Sequence, residues 1–213
     1  MNNKLLLIGA GGHCRSVIDS INQELYSDIV ILDLPKMVGK DVYSIPIKGT
    51  DDDIDTFFNQ GYRQAFITLG SVGNPEKRIN IYNKLKKQGF IFPTIIDPTA
   101  IISKTNVILE EGVFIGKGVI INTGVHISCF SIINSGAIIE HDCKIGQFVH
   151  IAPGVCISGE VHVNDNSHIG VGSSIIQSMS IGKNTIIGAG SVVVSDITNN
   201  VTAFGIPCRV QKT

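Results

Sequence analysis

A six-residue period in the second half of the chain constrains its fold more than any other feature. From Leu109 to Val193, fifteen residues spaced six apart are all aliphatic, and those two positions earlier, through Val161, are small or β-branched. A period of six fits neither an amphipathic helix nor an alternating strand. It is typical of a parallel β-helix, in which short strands stack coil upon coil. We expect three hexads per coil, so that residues 18 apart stack at about 4.8 Å.

The first 95 residues show a different pattern, in which apolar runs alternate with amphipathic stretches. The sequence predicts strands and helices in turn: strands at 4–8, 28–32 and 65–69, and helices at about 13–25 and 75–89. Strands that alternate with helices favour a small parallel α/β sheet of Rossmann-like type. We therefore predict two domains, an α/β domain at residues 1–95 and an all-β parallel β-helix with a C-terminal tail at 96–213.

Composition argues against several classes of function. Basic and acidic residues nearly balance, 17 against 18, and no basic block occurs, so no nucleic-acid partner is expected. No apolar run approaches the roughly 20 residues that span a bilayer, and no signal peptide precedes the first apolar run, so no membrane insertion is expected. The five cysteines lack CxxC spacing, which favours reduced structural thiols in a cytoplasmic protein.

The histidines of the repeat are candidates for chemistry. Four of them occupy one hexad position, beside the inward aliphatic one, and should point outward: His126, His150, His162 and His168. His141 occupies a different position, is followed by Asp142, and lies 18 residues before Gly159, which should sit one coil above it. A histidine with an adjacent carboxylate below a glycine is a candidate general base beside a backbone amide donor. The alternative is an ordinary surface histidine.

A metal site is a further possibility to weigh. His150 and His168 are 18 residues apart, so their imidazoles should be vertical neighbours able to share a metal ion. Zinc-dependent carbonic anhydrases of β-helical type pair histidines five residues apart, and that spacing is absent here. We therefore expect no bound metal.

A glycine-rich turn in the first domain suits phosphate binding. Residues 9–13, Gly-Ala-Gly-Gly-His, follow a predicted strand and open a predicted helix, where free N–H groups and the helix dipole favour an anion. Asp33 ends the next strand, where an acid that contacts the ribose or base lies in nucleotide folds. Cys14 replaces the third glycine of a dinucleotide fingerprint, which favours one nucleoside diphosphate over NAD. A tight turn without any ligand stays open.

Two motifs together resemble one family. The segment 9–13, followed by Glu-His-Asp-Cys-Lys-Ile-Gly-Gln-Phe-Val-His-Ile-Ala-Pro-Gly at 140–154, is similar to bacterial nucleotide-sugar acetyltransferases. These include the bacillosamine-pathway N-acetyltransferase and the sialic acid O-acetyltransferases, and the similarity covers essentially the whole chain. The resemblance implies a left-handed β-helix and a homotrimer that binds acetyl-CoA in the groove between neighbouring subunits. It also implies that the first domain binds the sugar nucleotide.

Carried over by position, the resemblance implies roles for individual residues. His141 matches the catalytic base, and Asp142 matches its acidic partner, where some relatives have Glu. The implied cofactor-binding residues are His150, Gly159, Val171 and Ala189. The implied sugar-nucleotide residues are Gly11, Gly12, His13, Asp33 and Gly70. Two departures from the family pattern stand out: Leu34 replaces a second acid after Asp33, and Cys208 stands where Ala is usual.

The sequence and the resemblance together predict an acetyl-CoA-dependent sugar N-acetyltransferase of polysaccharide or glycan biosynthesis. The expected substrate is a UDP- or dTDP-linked 4-amino-dideoxy sugar, whose amine attacks the thioester directly while His141 acts as general base. A sialic acid O-acetyltransferase would use the same residues on a hydroxyl acceptor. A non-catalytic trimeric sugar-nucleotide-binding protein and a zinc hydrolase or hydratase remain as alternatives.

Overall fold

The computed structural model describes residues 3–211, which fall into two compact units. The first, called here the α/β unit, contains the described residues up to Gly70 and the segment 76–95. The second, the β-helix unit, contains 71–75 and the described residues from Ile96 onward. Among residues 3–211, no helix combines the length and the hydropathy that crossing a bilayer requires.

The α/β unit is built on a five-stranded sheet in the order β3-β4-β2-β1-β5. Its elements are β1 (Lys4–Ile8), α1 (Gly12–Ser20), β2 (Asp28–Leu32), β3 (Asp41–Val42), β4 (Ile45–Gly49), α2 (Ile54–Asn59), β5 (Gln64–Ile67) and α3 (Glu76–Gln88). Strand β3 pairs antiparallel with β4, and the other pairs are parallel. The parallel core β2-β1-β5 is almost completely buried because helices and strands alternate along the chain.

The sequence predictions for this unit differ from the structure in two ways: one helix is too long, and three elements are missing. The helix predicted at 13–25 ends at Ser20, because Ile21 is extended and the Asn22 side chain caps a separate 3₁₀ turn by accepting the N–H of Glu24. Strands β3 and β4 and helix α2 were not predicted, since the segment between β2 and β5 contains prolines and a run of acids that show no clear period.

The β-helix unit folds into three sheets, called here faces 1, 2 and 3, whose strands are parallel except for the final antiparallel pair of face 3. A short strand, β6 (Ile95–Ile96), precedes them at the junction of the two units. Face 1 contains β7 (Ile101–Ile102), β10 (Ile120–Ile121), β13 (Ile138–Ile139), β16 (Cys156–Ile157), β19 (Ser174–Ile175) and β22 (Val192–Val193). Face 2 contains β8 (Ile108–Leu109), β11 (His126–Ile127), β14 (Lys144–Ile145), β17 (His162–Val163) and β20 (Ser180–Ile181). Face 3 contains β9 (Phe114–Ile115), β12 (Ile132–Ile133), β15 (His150–Ile151), β18 (His168–Ile169), β21 (Ile186–Ile187), β23 (Thr202–Phe204) and β24 (Arg209–Val210).

The predicted repeat is confirmed by the register of these sheets. His126 lies opposite Lys144, and His150 lies opposite His168, each pair 18 residues apart. The aliphatic residue of every hexad points inward, and Ile133, for example, is completely buried. Burying one such isoleucine contributes about 1.5–3 kcal/mol, so the column of repeated residues holds the coils together.

Each coil turns at three corners, where one residue adopts a left-handed backbone conformation. The corner between faces 1 and 2 contains Gly124, Asp142 and Glu160 in successive coils, with φ angles of 72°, 60° and 60°. Side chains at a corner leave the strand alternation, so two consecutive residues can approach each other there. Non-glycine residues pay about 1–2 kcal/mol for this conformation, and such positions are often functional.

Segment 71–75 covers part of face 3. The Nδ1–H of His150 donates to the carbonyl oxygen of Ser71 at 2.6 Å. A Cβ atom on Gly73, whose φ is 76°, would lie 2.8 Å from Cδ1 of Ile186. His150 and His168 are therefore only 8% and 9% exposed, whereas His162 on face 2 is exposed. The sequence predicts that the side chains of all four column histidines point outward, but it gives no sign that a segment outside the repeat packs over these two.

Candidate active site

The dyad of His141 and Asp142 lies at the corner between faces 1 and 2. The Nδ1–H of His141 donates to Oδ2 of Asp142 at 2.9 Å, and the two side chains are 43% and 62% exposed. Two consecutive residues can pair in this way because Asp142 has the left-handed φ of a corner. The bond holds the proton on Nδ1, so Nε2 has a free lone pair that can accept a proton.

Two glycines bracket the dyad, one coil above and one coil below. A Cβ atom on Gly159 would lie 2.5 Å from Nε2 of His141, so the imidazole edge rests against the Cα of this glycine. A Cβ atom on Gly124 would overlap Oδ1 of Asp142. Any larger residue at either position would displace one member of the dyad. Sequence reasoning found Gly159 from its 18-residue spacing, and the same spacing below Asp142 would have found Gly124.

The charges around His141 make it more basic. The hydrogen bond to Asp142 raises the pKa of His141 above its ordinary value, and the negative charges of Asp142, Glu160 and Glu140 act in the same direction against a smaller desolvation effect. Glu140 accepts a hydrogen bond from Nδ2 of Asn122 at 2.8 Å, and Glu160 accepts one from Oγ of Ser178 at 2.8 Å. A raised pKa makes the imidazole a stronger proton acceptor, as a general base requires.

A backbone donor lies beside the acceptor nitrogen of His141. Within residues 3–211, the N–H of Gly159 donates to no acceptor, whereas the next N–H, that of Glu160, donates to the carbonyl of His141 at 2.8 Å. Many other corner N–H groups are capped, such as that of Thr123, which donates to the Asn122 side chain at 2.8 Å. A proton acceptor next to a free amide N–H is the minimum that acyl transfer needs, a base and an oxyanion donor.

The predicted cofactor residues do not all lie near the dyad. Val171 and Ala189 are exposed at a different corner, between faces 3 and 1, one above the other in successive coils. Their N–H groups also lack an acceptor in the described chain, while the following N–H of Gly172 donates to the Pro153 carbonyl at 3.0 Å. Within one chain, the structure therefore groups Gly159 with the dyad and places Val171 and Ala189 at another edge of the coil.

His150 lies on face 3 in contact with His168, away from the corner that carries the dyad. The two ring centroids are 4.9 Å apart in an edge-on arrangement, and Nδ2 of Asn134 is 3.4 Å from Nε2 of His150. Burial lowers the pKa of His168, and its Nδ1 has no partner among the described residues. No group of three His, Cys, Asp or Glu side chains in residues 3–211 is arranged to hold a metal ion.

In the α/β unit, Asp33 lines a cavity of about 590 Å³ at the ends of β1 and β2. Its carboxylate accepts the N–H of Ala10 and, at 2.5 Å, the N–H of Leu34, so it fixes the glycine-rich turn. Sequence reasoning missed other polar groups that line this cavity: Thr50, Asp51, Asp52, Lys77 and Asn80. Lys77 and Asn80 lie one helical turn apart at the start of α3, and that spacing was the available signal.

Gly11, Gly12 and His13 lie at the start of α1, and these three and Gly70 are outside the lining of this cavity. Helix α1 begins at Gly12 with Gly11 as N-cap, no side chain caps it, and a Cβ atom on either glycine would meet open space. Uncapped N–H groups at such a position can bind an anion. A Cβ atom on Gly70 would lie 3.7 Å from Cβ of His13, so these two residues adjoin.

A second histidine–carboxylate pair occurs on face 2, but it is differently arranged. Nε2 of His126 lies 2.6 Å from Oε1 of Glu110, and Oε2 of Glu110 accepts from the Sγ of Cys129 at 2.8 Å. Burial and this carboxylate raise the pKa of the Cys129 thiol to about 11. Burial also raises the pKa values of Cys14 and Cys143 to about 11. These three thiols are protonated near neutrality and are poor nucleophiles.

Comparison with known proteins found similar sequences and structures. The family model described as the PglD N-terminal domain matches residues 4–85. PerB from Caulobacter crescentus, crystallised in complex with CoA and GDP-perosamine, is 32% identical, with 100% of this chain and 99% of that chain covered and a TM-score of 0.89. The acetyltransferase domain of PglB from Neisseria gonorrhoeae in complex with acetyl coenzyme A is 30% identical, with 99% and 100% covered and a TM-score of 0.89.

Further solved structures are also similar to this chain. Two more structures of the Caulobacter perosamine N-acetyltransferase with CoA and GDP-perosamine contain the variants H141N and H141A. WeeI from Acinetobacter baumannii is 23% identical with a TM-score of 0.85, which bears on the fold alone. No curated protein matches the chain. The predicted fold, a small α/β domain followed by a left-handed parallel β-helix, is confirmed.

Proposed function

The chain belongs to the left-handed β-helix family of sugar N-acetyltransferases, and we propose that it transfers the acetyl group of acetyl-CoA to the amine of a nucleotide-linked amino sugar. The observation that carries this proposal is the His141–Asp142 dyad beside the free N–H of Gly159. PerB, which spans the same length, was solved with CoA and GDP-perosamine. The earlier prediction of this family is confirmed.

In the proposed mechanism, His141 acts as general base. Nε2 takes a proton from the acceptor amine as its nitrogen bonds to the thioester carbonyl carbon, and Asp142 stabilises the resulting imidazolium. The N–H of Gly159 donates to the carbonyl oxygen as that oxygen becomes negative. The carbon–sulfur bond then breaks, and His141 returns the proton to the departing thiolate. The protonated Cys14, Cys129 and Cys143 favour this direct transfer over an acetyl-enzyme.

We propose that acetyl-CoA binds between two copies of the chain in a homotrimer. The free N–H groups of Val171 and Ala189 are suited to the amides of an extended cofactor arm, and His150 lies on the adjoining face 3. Because Val171 and Ala189 occupy a different corner of one chain from Gly159, a corner of a neighbouring copy is needed to complete the site. Residues 205–209 resemble the segment of the family that lies near the nucleotide end of acetyl-CoA, and we propose the same place for them here.

We propose that the α/β unit binds the nucleoside diphosphate of the acceptor. The uncapped start of α1, with Gly11, Gly12 and His13 beside Gly70, suits the diphosphate, and Asp33 borders the cavity for the base or ribose. Lys77 adds a positive charge to that cavity. UDP or dTDP remains the prediction from the sequence, and a guanine nucleotide is the alternative that PerB suggests. The five free cysteines favour the reducing cytoplasm as the location.

A panel of acceptors tests the proposal. The full chain is incubated with acetyl-CoA and with GDP-, UDP- and dTDP-linked 4-amino sugars or free sialic acid, and release of the CoA thiol is measured. We expect thiol release with one or more amino-sugar nucleotides and an N-acetylated product by mass spectrometry. Thiol release with sialic acid alone would overturn the proposal in favour of O-acetylation. Failure of acetyl-CoA to bind in a calorimeter would favour the non-catalytic alternative.

A further inference from the structure

We propose that Glu160 is a specificity-determining residue, which favours acceptors whose amine is protonated over acceptors that carry a hydroxyl or a carboxylate at that place. The inference rests on the proposed function. It adds the charge of the acceptor group, which the proposed function leaves open. It is carried by the position of Glu160 next to Gly159 and by the uniform sign of the charges around His141.

Glu160 is held in place by the coil above it. Its backbone N–H donates to the carbonyl of His141 at 2.8 Å, which places the residue one coil above the dyad. Its carboxylate accepts from Oγ of Ser178 at 2.8 Å and from Nε2 of Gln177 at 3.4 Å. These two donors lower the pKa of Glu160, so the carboxylate is fully ionised when the enzyme works. A fixed charge acts on a ligand without the cost of ordering a mobile side chain.

The charged groups that act on His141 are all carboxylates. They are Glu140, Asp142 and Glu160, from the residue before it, the residue after it and the coil above it. Lys144, the cation that follows along the chain, is exposed on face 2 and is not among the groups that shift the pKa of His141. The corner therefore has a negative potential, which attracts a cation and repels an anion.

This potential matches the chemistry of an amine acceptor. An amino sugar is largely protonated near neutrality, so the carboxylates concentrate its ammonium form at the corner. His141 removes the first proton and passes it to water, after which the neutral amine attacks the thioester carbonyl. The second proton leaves the nitrogen through His141 to the thiolate, so the whole transfer releases one proton to solvent. A neutral hydroxyl at this place gains no such attraction, and a carboxylate there is repelled.

Calorimetry with the full chain and two matched ligands tests the role of Glu160. The ligands are the nucleotide-linked amino sugar that the enzyme acetylates and its analogue with a hydroxyl in place of the amine. The variants are Glu160→Gln and the control Asp196→Asn, which alters a carboxylate of the same corner column two coils higher, where it caps the N–H of Ser180 at 2.8 Å. Circular dichroism checks that both variants are folded.

We expect Glu160→Gln to weaken binding of the amine by about threefold and to leave binding of the hydroxyl analogue unchanged, as for one partly screened charge. Asp196→Asn should change neither. Raising the salt concentration should weaken binding of the amine, relative to the hydroxyl analogue, more in the wild type than in Glu160→Gln. The acid limb of kcat/KM should also move to lower pH in Glu160→Gln, because one carboxylate that raises the pKa of His141 is gone. A purely structural role would not move this limb.

The outcomes separate the inference from the proposed function. If Glu160→Gln binds both ligands as the wild type does, the inference is wrong, while acetylation of the amino sugar by the wild type still supports the proposed function. If the wild type acetylates no amino-sugar nucleotide, the proposed function is wrong. Equal weakening of both ligands would show that Glu160 shapes the site without selecting charge, and would also overturn the inference.

Discussion

Two histidines of the same β-helix, nine residues apart along the chain, lie in opposite environments. His141, at the corner between faces 1 and 2, is half exposed, faces three carboxylates and has a raised pKa. His150, on face 3, is buried under Ser71 and packs edge-on against His168. The comparison shows that the surroundings, rather than the residue type, decide whether a polar side chain of this fold can do chemistry. The corner leaves His141 exposed and segment 71–75 covers His150, whereas His162 has the same hexad position as His150 and is exposed.

Replacing the corner histidine should have the largest effect on turnover. We expect His141→Ala to lower kcat at least about 100-fold, since the reaction loses its general base. Unfolding by denaturant should be unchanged because the side chain is exposed. His162→Ala, at an exposed histidine of face 2, is the control and should retain activity. Turnover near the wild-type level in His141→Ala would show that this residue is not the general base. The exposed corner histidine would then have no more of a chemical role than the buried His150.

Crowding the dyad from below should give the next largest effect. A Cβ atom on Gly124 would overlap Oδ1 of Asp142, so Gly124→Ala must displace the carboxylate from His141. We expect kcat/KM to fall by roughly tenfold to a hundredfold, as for a small misplacement of a catalytic group. The acid limb of its pH profile should move to lower pH, because the hydrogen bond that raises the pKa of His141 is weakened.

Gly136→Ala is a matched control for this experiment. Gly136 has a φ of 67°, close to the 72° of Gly124, but a Cβ atom there would meet open space. Both variants should lose about 1–2 kcal/mol of stability from the left-handed conformation, and only Gly124→Ala should lose activity. Equal activity losses would mean that backbone strain, rather than contact with Asp142, is responsible.

The buried histidine should affect stability more than chemistry. We expect His150→Ala to lower the free energy of unfolding by about 1–3 kcal/mol, because the carbonyl of Ser71 is left without its donor in a buried place. Chemical denaturation with a circular dichroism readout measures this change. Acetyl transfer should persist at temperatures where the variant is folded. A variant of native stability that has lost all turnover would assign His150 to the chemical step.

The smallest expected effect is on the pH dependence of stability. Burial lowers the pKa of His168 in the folded state, so the unfolded chain binds a proton more readily, near pH 6.5. The contribution of this residue is therefore fully present above pH 6.5 and is lost as the pH falls below it. Denaturation midpoints between pH 7.5 and 5 should fall less steeply for His168→Gln than for the wild type. An unchanged slope would show that protonation of His168 is not what destabilises the protein in acid.

The regular part of the fold could be predicted because it repeats. Aliphatic residues at every sixth position are all buried together only in a parallel β-helix. The same period predicts the length of a coil and the stacking of Gly159 above His141. The α/β unit was less predictable at 33–60, where short strands and a short helix carry too few residues to show a period. There, pairing of β4 with β2 decides the structure through contacts distant in sequence.

The candidate site divides in the same way between local and tertiary causes. The pairing of His141 with Asp142 is local, since it needs only a corner between two predicted hexads. The burial of His150 is not decided locally. Ser71, whose carbonyl accepts its hydrogen bond, lies 79 residues away along the chain and outside the repeat. The amino-acid sequence alone determined the period, the corners and the dyad, since each depends on neighbours at fixed spacing. The tertiary structure alone decided which outward residues stay exposed, because burial depends on segments that no period encodes.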